Sequence, residues 1–208
     1  EMIQMGKYDF IKIKKKLSKY LDEARFEHTM GVMYTCAALA MVYGYDLEDA
    51  QAAGLLDDSA KCIPNKKKLK LCSQHDIPVS DFEKDHPFLL HAKLGAYVAS
   101  SKYDIKDEEI LTAITYHTTG RPGMSLLEKI VYISDYIEPM RDKAPNLPKV
   151  RKIAFEDLDE CMYEILKDTL EYLEENPKEI DSTTRDAYVY YKDLHDRKMQ
   201  DAANRQED

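Results

Sequence analysis

The chain predicts an all-α fold, a single bundle of about eight or nine helices. Three observations carry that reading. Apolar residues recur at three- and four-residue spacing along most of the length. No run alternates apolar and polar residues for long enough to read as a strand. Aspartate and serine residues repeatedly stand just before the periodic runs, where their oxygens can accept the free N–H groups of a first helical turn.

Taken in order, Phe10, Ile13, Leu17 and Leu21 mark a first amphipathic helix. A second runs from about residue 24 to Tyr43 and closes at Gly44. Asp46 caps a third, which carries Ala50, Ala53 and Leu56 towards the acidic pair Asp57-Asp58. Residues 62–84 read as polar and irregular, with a short helix around Lys66 to Ser73. Pro87 fits the first turn of a helix reaching about Lys102. Asp107 caps another, from Glu108 to His117, which stops at Thr118-Thr119-Gly120. Ser125-Leu126-Leu127-Glu128 reads as a capping box before an apolar helix that ends near Pro139. One long helix is expected from about Pro148 to Glu175, on Ile153, Leu158, Met162, Ile165 and Leu173, with Pro177 as its stop. Ser182 caps a last helix bearing Tyr188 and Tyr191. From about Asp193 the chain is charged and poor in apolar residues, so a frayed tail is expected. The division is an extension at residues 1–7, a domain at 8–192 and a tail at 193–208.

With 30 lysines and arginines against 39 aspartates and glutamates, the net charge is −9, which argues against a general nucleic-acid binder. A small anionic ligand remains compatible, because local cations can dominate inside a cleft. Cys36, Cys62, Cys72 and Cys161 show no paired spacing and read as reduced thiols of a cytoplasmic protein. No apolar stretch approaches the roughly 20 residues of a membrane span, so neither a signal peptide nor a membrane partner is expected. A homodimer is compatible with the sequence.

Chemistry concentrates in a few inward-facing polar residues. His117 shares a helical row with Ile110, Ala113 and Ile114, and His91 precedes Leu94, Gly95 and Val98 in the same manner. His28 precedes Gly31, Val32 and Thr35. Asp135 follows Leu127 and Val131 on an apolar row, where a carboxylate needs a cation or a paired base. Asp57 and Asp58 close an apolar run at a helix end, whose dipole prefers a cation. Imidazole nitrogen with carboxylate oxygen suits iron, manganese or zinc better than calcium. His75, His86 and His195 sit in polar surroundings and read as ordinary surface residues. The lysine runs 12–16 and 66–70 read as solvated faces.

The order His28, Asp57-Asp58, His91, His117, Asp135 resembles the HD-domain metal phosphohydrolases. Arg25-Phe-Glu-His28, Ala53-Gly-Leu-Leu with Asp58 and Lys61, His117-Thr-Thr-Gly-Arg-Pro-Gly-Met-Ser125 and Ser134-Asp-Tyr-Ile-Glu-Pro-Met-Arg141 narrow this to the YqeK-type branch. That branch comprises symmetrical diadenosine tetraphosphatases. The resemblance implies central cleavage of diadenosine tetraphosphate into two ADP at a pair of metal ions, iron first, with manganese or magnesium as alternatives. It implies that His28, Asp58 and Asp135 hold one ion, helped by position 57, and that Asp58 bridges to a second on His91 and His117. Lys61 and Arg25 are the candidates for neutralising phosphate charge. Thr118, Thr119, Gly120 and Arg121 are the candidates for lining the substrate path. The family pattern has a histidine where this chain has Asp57. Either Asp57 still ligates, directly or through water, and shifts the site towards manganese or magnesium, or the first ion is held weakly and activity falls. Another HD-domain nucleotide hydrolase and a nucleotide-binding protein with a degenerate site are the alternative functions.

Overall fold

Asp22 opens the central helix of the fold by accepting the Arg25 N–H at 2.8 Å, and Gly44 closes it at φ 70°. In the computed structural model, which describes residues 6–144, 146–173 and 180–205, this is α2 (Glu23–Tyr43), preceded by α1 (Phe10–Leu17). Next come α3 (Leu47–Leu56), α4 (Asn65–Gln74), α5 (Asp81–Asp85), a 3₁₀ turn (Pro87–Leu90) and α6 (His91–Tyr103). The second half comprises α7 (Glu108–Tyr116), α8 (Leu126–Ile137), α9 (Leu147–Ala154), α10 (Leu158–Leu173) and α11 (Ser182–Asn204). The described residues thus form 11 helices and no strand, against the eight or nine expected.

The main core runs through the bundle, with a smaller cluster of Ala60, Cys72, Leu90 and Leu94 beside it. α2 packs on α3 and α8, α7 packs on α3, α6 and α8, and α10 joins α8 to α11. Leu17, Val32, Met33, Leu39, Leu55, Leu56, Ile110, Ile114, Leu127, Ile130 and Ile165 are buried within it. α3 is nearly all small or apolar, which lets it press against α2. A Cβ on Gly54 would stand 2.6 Å from Cys36 Sγ and 3.3 Å from the Met33 Cα, so glycine sets that close approach. α8 starts with the expected capping box, in which Ser125 and Glu128 satisfy each other's backbone N–H.

Five expectations differ, the smallest being that Asp181, which accepts the Thr183 N–H at 2.7 Å, caps the last helix in place of Ser182. The long helix is two, because Asp157 accepts the Glu160 N–H at 3.0 Å and so caps a new start at Leu158. Glu175 and Pro177 lie outside the described residues. The helix from Pro87 begins as a tighter turn and becomes α-helical at His91. α5 appears inside the stretch read as irregular, held by a capping box of Ser80 and Glu83. The charged segment after Asp193 continues α11 to Asn204. Its charges pair instead of repelling: Arg197 with Asp193, Lys198 with Asp157, and His195 with Glu160. Among the described residues no helix is long and apolar enough to cross a membrane.

Candidate metal centre

Five helices deliver polar side chains to one buried place. α2 contributes His28, the end of α3 contributes Asp57 and Asp58, α6 begins with His91, and α7 is followed by His117. Asp135 comes from the last turn of α8. Among the described residues, two groups have ligand atoms close enough for one cation each: Asp58, His91 and His117, and His28, Asp58 and Asp135. Asp58 belongs to both.

The first group is anchored by backbone. His91 Nδ1 donates to the Phe88 carbonyl at 2.7 Å, and His117 Nδ1 donates to the Ile114 carbonyl at 2.7 Å. Those contacts assign a proton to Nδ1 on both rings, so in the neutral imidazole each Nε2 presents its lone pair to the centre. The two Nε2 atoms face each other at 3.2 Å, with Asp58 Oδ1 at 3.2 Å from His91 and 3.5 Å from His117. Neither contact aligns as a hydrogen bond, and Oδ1 is buried without a partner. Converging lone pairs around an unsatisfied carboxylate oxygen are a donor set that fits a divalent cation. The Lys61 ammonium stands 3.2 Å from His91 Nε2 and 3.5 Å from Asp58 Oδ1, and the Thr118 hydroxyl lies 3.2 Å from both Nε2 atoms.

The second group is anchored by side chains. His28 Nδ1 pairs with Glu138 Oε1 at 2.9 Å and Nε2 with Asp135 Oδ1 at 2.9 Å, while Asp58 Oδ2 lies 3.7 Å away. Arg25 Nη1 donates to Asp58 Oδ2 at 2.6 Å. Arg141 grips Asp135 twice, through Nη2 to Oδ1 and Nε to the main-chain carbonyl, each at 2.9 Å.

These contacts set the charges. Burial opposes ionisation of Asp58, but His117, His91 and Lys61 outweigh it and hold its carboxyl well below the usual range. Burial likewise opposes ionisation of Asp135, and the His28 contact and Arg141 overcome it. Burial takes His91 down to about 4; His117 rises to about 9, because Asp58 and Asp57 more than offset its own burial. Asp57 goes the other way from Asp58. Burial first, then the Asp58 charge, push it up to about 7.

Asp57 is beside the centre but in neither ligand group. Its Oδ1 accepts the Asp58 N–H at 2.6 Å, and its Oδ2 is buried with no partner. The two groups are complete without Asp57.

Of the residues expected on the substrate path, Thr118 reaches the centre and Thr119 lines a cavity next to it. Gly120 and Arg121 have structural partners. Gly120 adopts φ 65° and packs on Tyr132, Ala187 and Met124. Arg121 is clamped by Glu128 at 2.6 and 2.8 Å and stacks over the Tyr116 ring. Glu138 and Arg141 were not singled out from sequence. Their signal was present, since they follow Asp135 in the block Asp-Tyr-Ile-Glu-Pro-Met-Arg. Of the histidines read as ordinary, His75 stacks on Tyr97 and His195 on Tyr163, whereas His86 lines the cavity beside Thr118. Within the second lysine run, Lys68 is buried rather than solvated. The four thiols are free, with Cys62 alone exposed.

The HD domain family model matches residues 25–140 of this chain, the span that holds all six candidate ligands. Similar curated proteins include "Bis(5'-nucleosyl)-tetraphosphatase, symmetrical" of Bacillus subtilis strain 168. It is 40% identical over 157 residues, 76% of this chain and 83% of that protein. The protein of the same name from Staphylococcus aureus is 34% identical over 182 residues, 86% of this chain and 93% of its own. Among solved structures, a predicted HD superfamily hydrolase involved in NAD metabolism from Clostridium acetobutylicum superposes with a TM-score of 0.86 at 37% identity. That match covers 91% of this chain and 100% of the other.

Proposed function

This chain belongs to the HD domain family, and we propose that it is a metal-dependent phosphohydrolase that splits diadenosine tetraphosphate at its centre into two ADP. The observation that carries the reading is the sharing of Asp58 between two three-residue ligand groups. His28, Asp58 and Asp135 would hold one ion, and Asp58, His91 and His117 the other. Divalent ions bound there supply Lewis-acid polarisation of phosphoryl oxygens and lower the pKa of water. Iron is the proposed metal, with manganese or magnesium as alternatives, on a donor set of mixed imidazole and carboxylate.

The side chains do the rest. Arg25, Lys61 and Arg141 stand around the two groups and neutralise charge on the central phosphates as it shifts towards the departing ADP. ADP is a stabilised leaving group, so none of these residues needs to be a strong acid. Thr118 offers a hydroxyl to phosphate oxygen from the His117 side. The place of Asp57 outside both ligand groups supports weakened binding at the His28 end. It also supports the second reading, nucleotide binding with little turnover.

Elemental analysis of the purified protein, paired with an assay of ADP release from diadenosine tetraphosphate, tests the proposal. Bound metal with ADP as sole nucleotide product is expected. Metal-replete protein that binds the nucleotide and releases nothing favours the second reading. Metal-free protein, inactive with every added divalent ion, sinks the enzyme.

A further inference from the structure

We propose that the cavity between the first turn of α4 and the end of α6 is a binding site for a small phosphate-bearing anion, held by Lys67, Lys102 and the Ser59 hydroxyl. It is separate from the candidate metal centre, since none of the six candidate ligands lines it.

The start of α4 is the first observation. The sequence puts Lys66, Lys67 and Lys68 in its first turn, with no acid among them. A helix N-terminus carries partial positive charge, so three lysines there repel both it and one another. Nothing local offsets them. Pro64 stands at the cap position, and no side chain caps the turn, which leaves the first N–H groups of the helix free. Lys68 turns inward and is buried, 3.3 Å from the Asn65 amide oxygen. An anion at this turn removes the conflict.

A cavity of about 190 Å³ opens beside it. Pro64 and Lys67 line it from the start of α4, Lys102 and Tyr103 from the end of α6, and Ser59 and Cys62 from the turn between α3 and α4. Among the described residues no aspartate or glutamate lines it, although the chain carries a net charge of −9. Asp22 accepts from the Cys62 thiol at 3.4 Å and is not part of the wall. Lys102 sits over the Tyr20 ring at 5.2 Å, and Lys16 brings a third ammonium alongside by donating to the Lys102 carbonyl at 2.6 Å. Ser59 is 7% exposed, and its hydroxyl lies 3.5 Å from the Gly95 carbonyl, beyond the roughly 2.5–3.0 Å of an O–H···O bond. A buried hydroxyl in the wall is thus left for a ligand.

Chemistry and size together select the ligand. Two ammonium groups, the first N–H groups of a helix and a hydroxyl all donate, which suits phosphate oxygens. The volume falls below the roughly 300–1,000 Å³ of pockets for drug-sized ligands. The cavity therefore takes a phosphate ion or a short phosphate ester, and a whole nucleotide does not fit.

Cys62 reports on occupancy, because it lines the cavity and is the one exposed thiol of the four. The test labels the full-length, metal-loaded protein with iodoacetamide at constant ionic strength, with inorganic phosphate or glycerol phosphate replacing chloride. A bound anion covers the thiol and disfavours its thiolate, so saturating phosphate is expected to slow labelling about tenfold. Protection at lower concentration by glycerol phosphate identifies an ester as the ligand, and the reverse order identifies the free ion. Lys67→Met and Lys102→Met should each raise the half-protecting concentration about three- to tenfold, with metal content and ADP release unchanged. Lys67→Glu should abolish protection. An acid suits a first helical turn, so this variant keeps the test decisive if the methionine variant fails to fold. Labelling that phosphate slows no more than chloride does overturns the site. So does protection that survives unaltered in all three variants, which would place the anion at the metal centre instead.

Discussion

At the His91 and His117 end of the row the anchors are backbone carbonyls; at the His28 and Asp135 end they are side chains. Phe88 and Ile114 belong to helical turns, so the first two imidazoles cannot change their hydrogen bonds without unwinding a turn. Both rings are buried. Glu138, Arg25 and Arg141 instead hold the second group through rotatable side chains, and Asp135 lines an open cavity of about 650 Å³. A cation meets lone pairs already converged at the first end, and must displace ion pairs at the second. Preorganisation thus favours the His117 end, and on the proposed function the histidine missing at position 57 is expected to weaken the His28 end further.

Asp58 is the residue on which both ends depend, so its loss should be the most severe. Asp58→Asn keeps the size and removes the shared charge. Its metal content should fall at both ends, and ADP release should drop by more than the roughly 10- to 100-fold typical of partners outside the ligand set. Elemental analysis that finds one full-affinity ion left would break the idea of a shared ligand.

Asp57→His tests the difference between the ends directly. The imidazole is longer than the carboxylate, and the buried, unpartnered Oδ2 marks where a better donor would point. Affinity for the weaker ion is expected to rise roughly 10- to 100-fold, with more ADP formed at limiting metal. If neither the metal content nor ADP release changes, position 57 does not govern the centre.

Gly31→Ala disturbs the side-chain-anchored end alone. A Cβ at Gly31 would collide with the Glu138 carboxylate, the partner that orients His28. About a tenfold loss of metal affinity at one end is expected, with the His117 end intact. A metal titration that loses both phases together would show that the ends are not separate.

The same contrast explains how much the sequence disclosed. Residues on helical rows were legible, because periodicity alone turns His91, His117 and Asp135 inward and the motif order groups them with His28 and Asp58. Helices with ordinary caps, α2, α3, α7 and α8, were legible for the same local reason. What escaped depends on contacts between distant segments. Phe155 continues the apolar spacing, so the break before Leu158 shows only through the Asp157 cap. The charges after Asp193 read as a solvated tail until Asp157 and Glu160 are brought alongside. That Asp57 lies outside both ligand groups depends on where other helices place their side chains, which no spacing rule contains.

Arg121 is the last case, and it concerns what supports the firmer end. It reads as a substrate contact from its motif, but Glu128 holds it at 2.6 and 2.8 Å while also accepting the Ser125 N–H at 2.8 Å. The pair rivets the loop after His117 to the start of α8. Burial opposes ionisation of Glu128, and Arg121 with the Ser125 N–H overcomes it, so its carboxyl sits below the usual range. A depressed carboxyl stabilises the fold above the unfolded-state glutamate range, and that contribution disappears as pH falls through the folded value. Glu128→Gln keeps the shape and removes the charge. It should cost about 1–2 kcal/mol at neutral pH, with Arg121 partly solvated, or roughly 3–6 °C in melting temperature. In acid, where the unaltered protein has lost the same contribution, the gap should close. Metal content should hold, because His117 is anchored to Ile114 within its own helix and not to the loop. A gap that persists in acid would mean the pair stabilises by shape alone, and a loss of metal would mean the firmer end leans on the loop after all.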